Sequence, residues 1–541
     1  MAAGRAGGVS LPPAKRLPTG SLARLANQVL EANPDVQDVL DVAALIESFG
    51  YSDARIAREF GVPSVFELAD AVHRELGHRI LHETLPPNTA PPWPRTALTM
   101  LGQFVHGLTF AVPMLVSITA MILLKISFAA YQNFDVEQAT ALALATLFSF
   151  LTTGGFTQAM AYIYYVLVGA EEHDAVIATL SLMMRWGMAV TALFCLALLV
   201  VDTAFPILPP AVLLFALAYT LPLSAMWLSY TGMYVLRREY LLTVATALAI
   251  GISYLLWRSG RVDVTIAQVI AMLIGSFLTI AMALYLLRRR ADESRHRTVG
   301  RLIRMRISHL AYGSSPYFVY GILYFAFVFA DRLVSFTTNT SFLPLGIWFR
   351  GPYELAMDWA LLTLILPLGA AEPFVTLLLS WLTRAEQRVA ARTLGRLTVR
   401  MRALYLGSLG GLALVGGIGF LLTRLLLALV QRLPLFAGRV PIHGGEPLVF
   451  TVASLAYAML VVGLFNVLLL FTLARPRSAL RSFGLALIVD LGVGLFFSRL
   501  GNSDSLAVIG LAAGVLYLVV ATSLELLRVI QTIDLTLFEL T

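Results

Sequence analysis

From Thr96 onward the chain repeats one unit, an apolar block of about twenty residues or more closed by a short stretch of Gly, Pro or charge. At 1.5 Å of rise per residue, a helix of that length crosses a hydrocarbon layer about 30 Å thick. Twelve such blocks are legible, at roughly 98–124, 138–168, 175–201, 207–235, 239–257, 264–287, 312–335, 352–382, 403–430, 447–473, 478–498 and 505–527. The interruptions include "NFDVE", "EEHD", "FPILPP", "LRREY" and "RSGRVD". A chain of 541 residues could hold several soluble domains, but 58% hydrophobic and 13% charged residues lie outside the soluble range. The expected fold is therefore all-α and polytopic, with twelve transmembrane helices.

The formal charge of +7 is almost all arginine, and its placement orients the spans. If the N-terminus is inside, the inner loops hold Arg237, Arg238, the run Leu286 to Arg306, the segment Arg384 to Arg402, and Arg475, Arg477 and Arg481. These outnumber the outer arginines, as the positive-inside rule requires. No apolar signal segment precedes the spans, so both termini are expected in the cytoplasm of a bacterial inner-membrane protein. The longest basic loop, 288–306, divides the spans six and six in parallel orientation. The expected domains are thus residues 1–95, a cytoplasmic helical domain ending in the stiff linker "PPNTAPPWPR", and two six-helix lobes at 96–300 and 301–541. A short echo supports the repeat: "FVHGL" (Phe104 to Leu108) in the first span and "FVYGI" (Phe318 to Ile322) in the seventh.

Three features of the polar segments invite functional readings. "ARIAREFGVPSVFELADAV" (Ala54 to Val72) has the helix, Gly turn and helix of a DNA reader. Its second helix opens with Ser64, Glu67 and Asp70, where phosphate contacts would need cations, so no nucleic-acid partner is expected. Ile56, Phe60, Val62, Val65, Phe66, Leu68 and Val72 are expected as the core of a small bundle instead. His78 and His82, with His73 nearby, have a spacing that could share a metal, but HExxH is absent and no metal site or cofactor is expected. Arg384, Arg388, Arg392, Arg396 and Arg400 recur every fourth residue. On a helix this makes a basic face for anionic lipid, or for an acidic cytoplasmic partner. Cys195, the single cysteine, leaves no intramolecular disulfide.

Charge inside a span is expensive and marks candidate sites. Arg185 lies in the third span, and Glu354, Asp358 and Glu372 in the eighth, where Pro367 and Pro373 break or kink the helix. Asp490 lies in the eleventh, and Asp331 and Arg332 near the end of the seventh. Glu354 and Asp358, four apart, share a face. Asp331 and Arg332 point about 100° apart, so one faces the bundle while the other snorkels. The expected arrangement sets Asp331 in a central cavity beside Glu354 and Asp358, with Arg332 offsetting their charge. The plainer alternative pairs Asp331, Arg332 and Arg350 across a short loop. Walker A, GxGxxG, GxSxG and sugar-nucleotide carboxylate motifs are absent, so enzymatic activity is not expected.

"GSSPYFVYGILYFAFVFADRLVSF" (Gly313 to Phe336) and "GPYELAMDWALLTLILP" (Gly351 to Pro367) resemble the PelG-like exopolysaccharide transporters. These belong to the superfamily of multidrug, oligosaccharidyl-lipid and polysaccharide exporters. Asp331 matches the acidic position of that family's Trp-x-Asp-Lys element and Arg332 replaces its lysine; Tyr353, Glu354 and Asp358 occupy its second motif. The N-terminal domain is extra, and the family's Gly-Phe-Glu-Leu-like opening before the first span is missing. The resemblance implies a two-lobed cavity open alternately to each side. It also implies a polysaccharide or lipid-linked sugar as cargo and a cytoplasmic glycosyltransferase as partner. The rival readings are a cation-coupled drug antiporter of the same fold, a membrane scaffold or sensor, and an integral-membrane glycosyltransferase.

Overall fold

The computed structural model describes residues 19–32, 38–82, 93–109, 111–126, 134–169, 173–206, 208–236, 238–295, 307–338, 346–386, 394–434, 441 and 443–532. It divides into two compact units at Ala97 and Leu98.

The first unit holds α1 (Thr19–Ala32), α2 (Val39–Ser48), α3 (Asp53–Glu59) and α4 (Val65–His82). Leu25, Val29, Val42, Ile46, Ile56, Phe60, Leu68, Val72 and Leu76 close its core. Asp38 caps α2 by accepting the Asp41 N–H at 2.8 Å, and Asp53 accepts the Val65 N–H at 2.9 Å, tying the start of α3 to that of α4. Gly61 makes the turn between them at φ +73°, a left-handed conformation that favours glycine. The expected core holds except at Phe66, which is 57% exposed. The inward face of α4 runs through Val65, Leu68, Ala69, Val72 and Leu76, and a residue one step from Val65 is turned about 100° off it. The side chains of His78 and His82 lie outside the described part.

All regular structure in the described part of the second unit is helical, with eleven helices long and apolar enough to cross a membrane. They include α7 (Val136–Gly169), α8 (His173–Ala204), α9 (Pro210–Val235), α10 (Glu239–Arg258), α11 (Val264–Arg295) and α12 (Ile307–Phe336). After them come α15 (Leu394–Val430), α16 (Glu446–Thr472), α17 (Pro476–Leu500) and α18 (Val508–Gln531). α5 (Trp93–Thr109) and α6 (Val112–Leu124) make a twelfth when the pair is counted as one broken span, bent 46° where Pro113 enters the first turn of α6. The eighth span is also interrupted: α13 (Gly351–Leu361), a 3-10 turn over Leu362–Leu364, then α14 (Ile365–Glu386). Pro367 has no N–H for the Thr363 carbonyl and its ring crowds that carbonyl, so the helix tightens there. The first repeat, α5 to α11, meets the second, α12 to α18, mainly along α7 and α12.

Between α10 and α11, Asp263 accepts the Thr265 N–H at 3.0 Å and also its hydroxyl, which holds this carboxyl below its ordinary range. The five-arginine series is not one described helix. Arg384 falls at the end of α14 and Arg396 and Arg400 in the first turns of α15, while Arg388 and Arg392 lie outside the described residues.

Candidate functional site

A cavity of about 370 Å³ lies between the repeats, lined from α6, α7, α9, α10, α12 and α13. Its wall is aromatic. Phe150 of α7 stacks on Phe325 of α12 at 4.4 Å and lies 4.6 Å from Trp227 of α9, which meets Tyr230 edge-on at 5.5 Å. Against these rings stand three charged residues, Arg332, Glu354 and Asp358.

Two adjacent residues of α12 engage two adjacent residues of α13. Arg332 Nε donates to Glu354 Oε2 at 3.1 Å, with the two residues 7% and 8% exposed. Its Nη1 donates to the Val328 carbonyl at 3.0 Å, and the guanidinium lies 5.5 Å from the Phe329 ring. One residue back along each helix, the Tyr353 hydroxyl donates to Asp331 Oδ2 at 2.6 Å. Successive side chains diverge by about 100°, so the arginine and the aspartate serve different compartments. This corrects the expected arrangement. Arg332 lines the cavity with Glu354 and Asp358, whereas Asp331 is fully buried and is not among the lining residues. Asp358 makes no hydrogen bond or ion pair among the described residues, although it lies close enough to Arg332 to feel its charge.

Behind the cavity wall, Asp331 shares buried space with Asp490 of α17, which is also fully buried and close enough to interact with it electrostatically. Neither carboxylate oxygen of Asp490, nor Asp331 Oδ1, nor the hydroxyl of Ser335 one turn along α12, has a hydrogen-bond partner among the described residues. Two glycines of α18 make the room. A Cβ on Gly510 would lie 2.8 Å from Asp490 Oδ1, and one on Gly514 would lie 2.9 Å from the Asp490 Cβ. Ionising a buried carboxyl without partners costs several kcal/mol, so these two acidic groups stand out from their surroundings.

The remaining sequence candidates lie apart. Arg350 is not paired with Asp331: it reaches Asp504 at 3.9 Å and the Thr338 carbonyl. Arg185 sits on an exposed face of α8 beside Trp186, Leu182 and Val190, outside the cavity lining. Glu372 of α14 is also outside it, bound to His106 of α5 at 2.8 Å and 2.9 Å from the two carboxylate oxygens. Sequence reasoning did not single out His106 by itself, although it stands in the centre of "FVHGL". Arg499 of α17 was missed as well. It caps the end of α12, donating to the Val334 and Thr337 carbonyls at 3.2 and 3.1 Å.

This architecture is that of known transporters. A crystal structure of a variant of the Vibrio cholerae MATE transporter VcmN superposes with a TM-score of 0.56 at 15% identity, over 82% of this chain and 100% of that one. A MOP superfamily transporter from Pyrococcus furiosus superposes with a TM-score of 0.52 at 12% identity, over 79% and 97% of the two chains. An outward-facing multidrug resistance MATE transporter of the MOP superfamily reaches 0.51 at 14% identity, over 80% and 96%. The chain therefore has the twelve-span fold of the MATE and MOP-superfamily transporters, and identities this low establish the fold alone. No protein-family model and no curated protein matches the sequence.

Proposed function

We propose that the protein is a membrane transporter that moves a saccharide, an exopolysaccharide segment or its lipid-linked precursor, outward by alternating access through the cavity between the repeats. The observation that carries this reading is the lining: stacked aromatic rings on one side, and Arg332, Glu354 and the uncommitted Asp358 on the other. Sugar rings offer C–H faces to aromatic planes and hydroxyls to carboxylates and guanidinium. The volume, about 370 Å³, lies at the lower end for small-ligand pockets and suits a sugar or two at a time. With Arg332 and Glu354 cancelling each other, Asp358 leaves the lining acidic, which favours amino-sugar units over anionic ones.

Trp227 supplies the test, since its indole lines the cavity. Purified protein titrated with amino-sugar oligomers should show saturable fluorescence quenching that is lost in Trp227→Phe and weakened in Asp358→Asn. Quenching by apolar cationic drugs but not by oligosaccharides would instead select the antiporter.

A second observation bears on the energy source and keeps that rival in view. The unpartnered oxygens of Asp331 and Asp490 favour coupling to a small cation, so an ion gradient drives the cycle in this reading. Both carboxyl groups belong to the second repeat, Asp331 on α12 and Asp490 on α17. In the same proposal both termini are cytoplasmic in a bacterial inner membrane. The arginines at 384, 388, 392, 396 and 400 meet anionic lipid, and a glycosyltransferase docks on the cytoplasmic side.

A further inference from the structure

Beyond one end of the cavity, the two repeats touch through glycine at two places. Gly107 of α5 lies against Gly369 of α14: a Cβ on Gly107 would stand 2.8 Å from the Gly369 carbonyl oxygen and 2.9 Å from its Cα. Gly321 of α12 lies against Gly154 of α7, where a Cβ on Gly321 would collide with the Gly154 carbonyl. These contacts are equivalents under the six-and-six repeat. Gly107 and Gly321 hold the same place in "FVHGL" and "FVYGI", in the first and seventh spans, and their partners lie in the eighth and second. Each contact therefore joins the leading span of one repeat to the second span of the other. Both lie on the side away from Leu147, Phe150 and Phe329, and α7 and α12 stay closed past them, with Tyr162 stacked on Tyr317 at 4.3 Å.

The two contacts differ in polarity. Next to Gly107 and three residues past Gly369, His106 Nδ1 donates to the Glu372 carboxylate, with the two side chains 30% and 28% exposed. At the equivalent place, Gly321 packs on Gly154 and on the aliphatic part of Gln158. Most of α5 is otherwise lightly held, with Leu98, Leu101 and Val105 each more than half exposed.

We propose that the paired glycine contacts form the gate at this end of the cavity, and that His106–Glu372 is the latch holding it shut. This rests on the alternating-access reading. Glycine lets the helix backbones meet closely enough to exclude cargo, and apolar contact of that kind is non-directional. The hydrogen bond between His106 and Glu372 adds a fastening that breaks at a defined separation, so the state closed here is favoured until cargo or ion occupancy shifts it.

The gate is tested by thiol labelling, independently of the Trp227 titration that tests cargo. In a Cys195→Ala background, Ser117→Cys, which lines the cavity on the inner side of the contacts, reports access to a membrane-impermeant thiol reagent added at the closed end. His106→Ala and Glu372→Ala should each raise its labelling rate several-fold. The swapped double variant His106→Glu with Glu372→His should bring the rate back toward the parent. Labelling unchanged in the single variants, or a swapped variant as fast as they are, overturns the proposal. Where a single variant accumulates poorly, His106→Gln keeps a donor at that position. Equal labelling in His106→Gln and His106→Ala also overturns it.

Discussion

Arg332 and Glu354 form a salt bridge of 3.1 Å with less than a tenth of either residue exposed, 22 residues apart on two different helices at the edge of the cavity. Two charges withdrawn from water in this way are retained only because each compensates the other, and the predictions begin there.

Glu354→Gln leaves Arg332 buried without its counter-charge and should cost about 3–5 kcal/mol. The double variant Arg332→Met with Glu354→Leu removes both charges and should lose less than either single change. Thermal unfolding of the detergent-solubilised protein checks this; a double variant as unstable as the sum of the singles contradicts it.

Tyr353→Phe removes the hydroxyl that donates to Asp331 at 2.6 Å, leaving both carboxylate oxygens without a partner. The expected loss is about 1–3 kcal/mol. Asp331→Asn in the Tyr353→Phe background should recover part of it. No recovery of melting temperature would mean that the hydroxyl, and not the stranded carboxyl, sets the effect.

Asp490→Asn should melt at or above the parent in a buffer free of small metal cations, because the parent carboxyl makes no hydrogen bond among the described residues. The variant should also lose any stabilisation that sodium or lithium confers on the parent. A marked drop in melting temperature without added cation would assign Asp490 a structural role.

Asp358→Asn should leave the melting temperature close to the parent's, because this partly buried carboxyl makes no hydrogen bond or ion pair among the described residues for the change to break. Transport or saccharide binding should fall in the same variant. Full activity with the neutral side chain removes Asp358 from the cargo site.

Leu68→Ala, in the core of the first unit, should cost about 2–5 kcal/mol of that unit's stability. The loss is read as faster proteolysis at α4. Phe66→Ala, two residues away and exposed, should change little. Equal sensitivity at the two positions would contradict the register of α4.

The twelve spans were legible because a membrane-crossing helix announces itself by length and apolar content, which are properties of consecutive residues. The interruption at Pro367 was legible for a similar reason, since a missing N–H acts within one turn. The candidate charges were legible as costs: Asp331, Arg332, Glu354, Asp358 and Asp490 stand in apolar runs, and three of the five reach the cavity. The sequence also determined that adjacent residues 331 and 332 must diverge. It could not determine which of them meets the cavity, because helical geometry fixes the angle between two side chains and not the neighbour each one finds.

That neighbour was decided by packing. The approach of α13 sends Arg332 to Glu354, and the glycines of α18 leave space beside Asp490. The meeting of α5 with α14 joins His106 to Glu372 across 266 residues of chain. Local patterns carry the free energy of crossing a membrane residue by residue. Partners this far apart in sequence are chosen only when whole helices settle against one another.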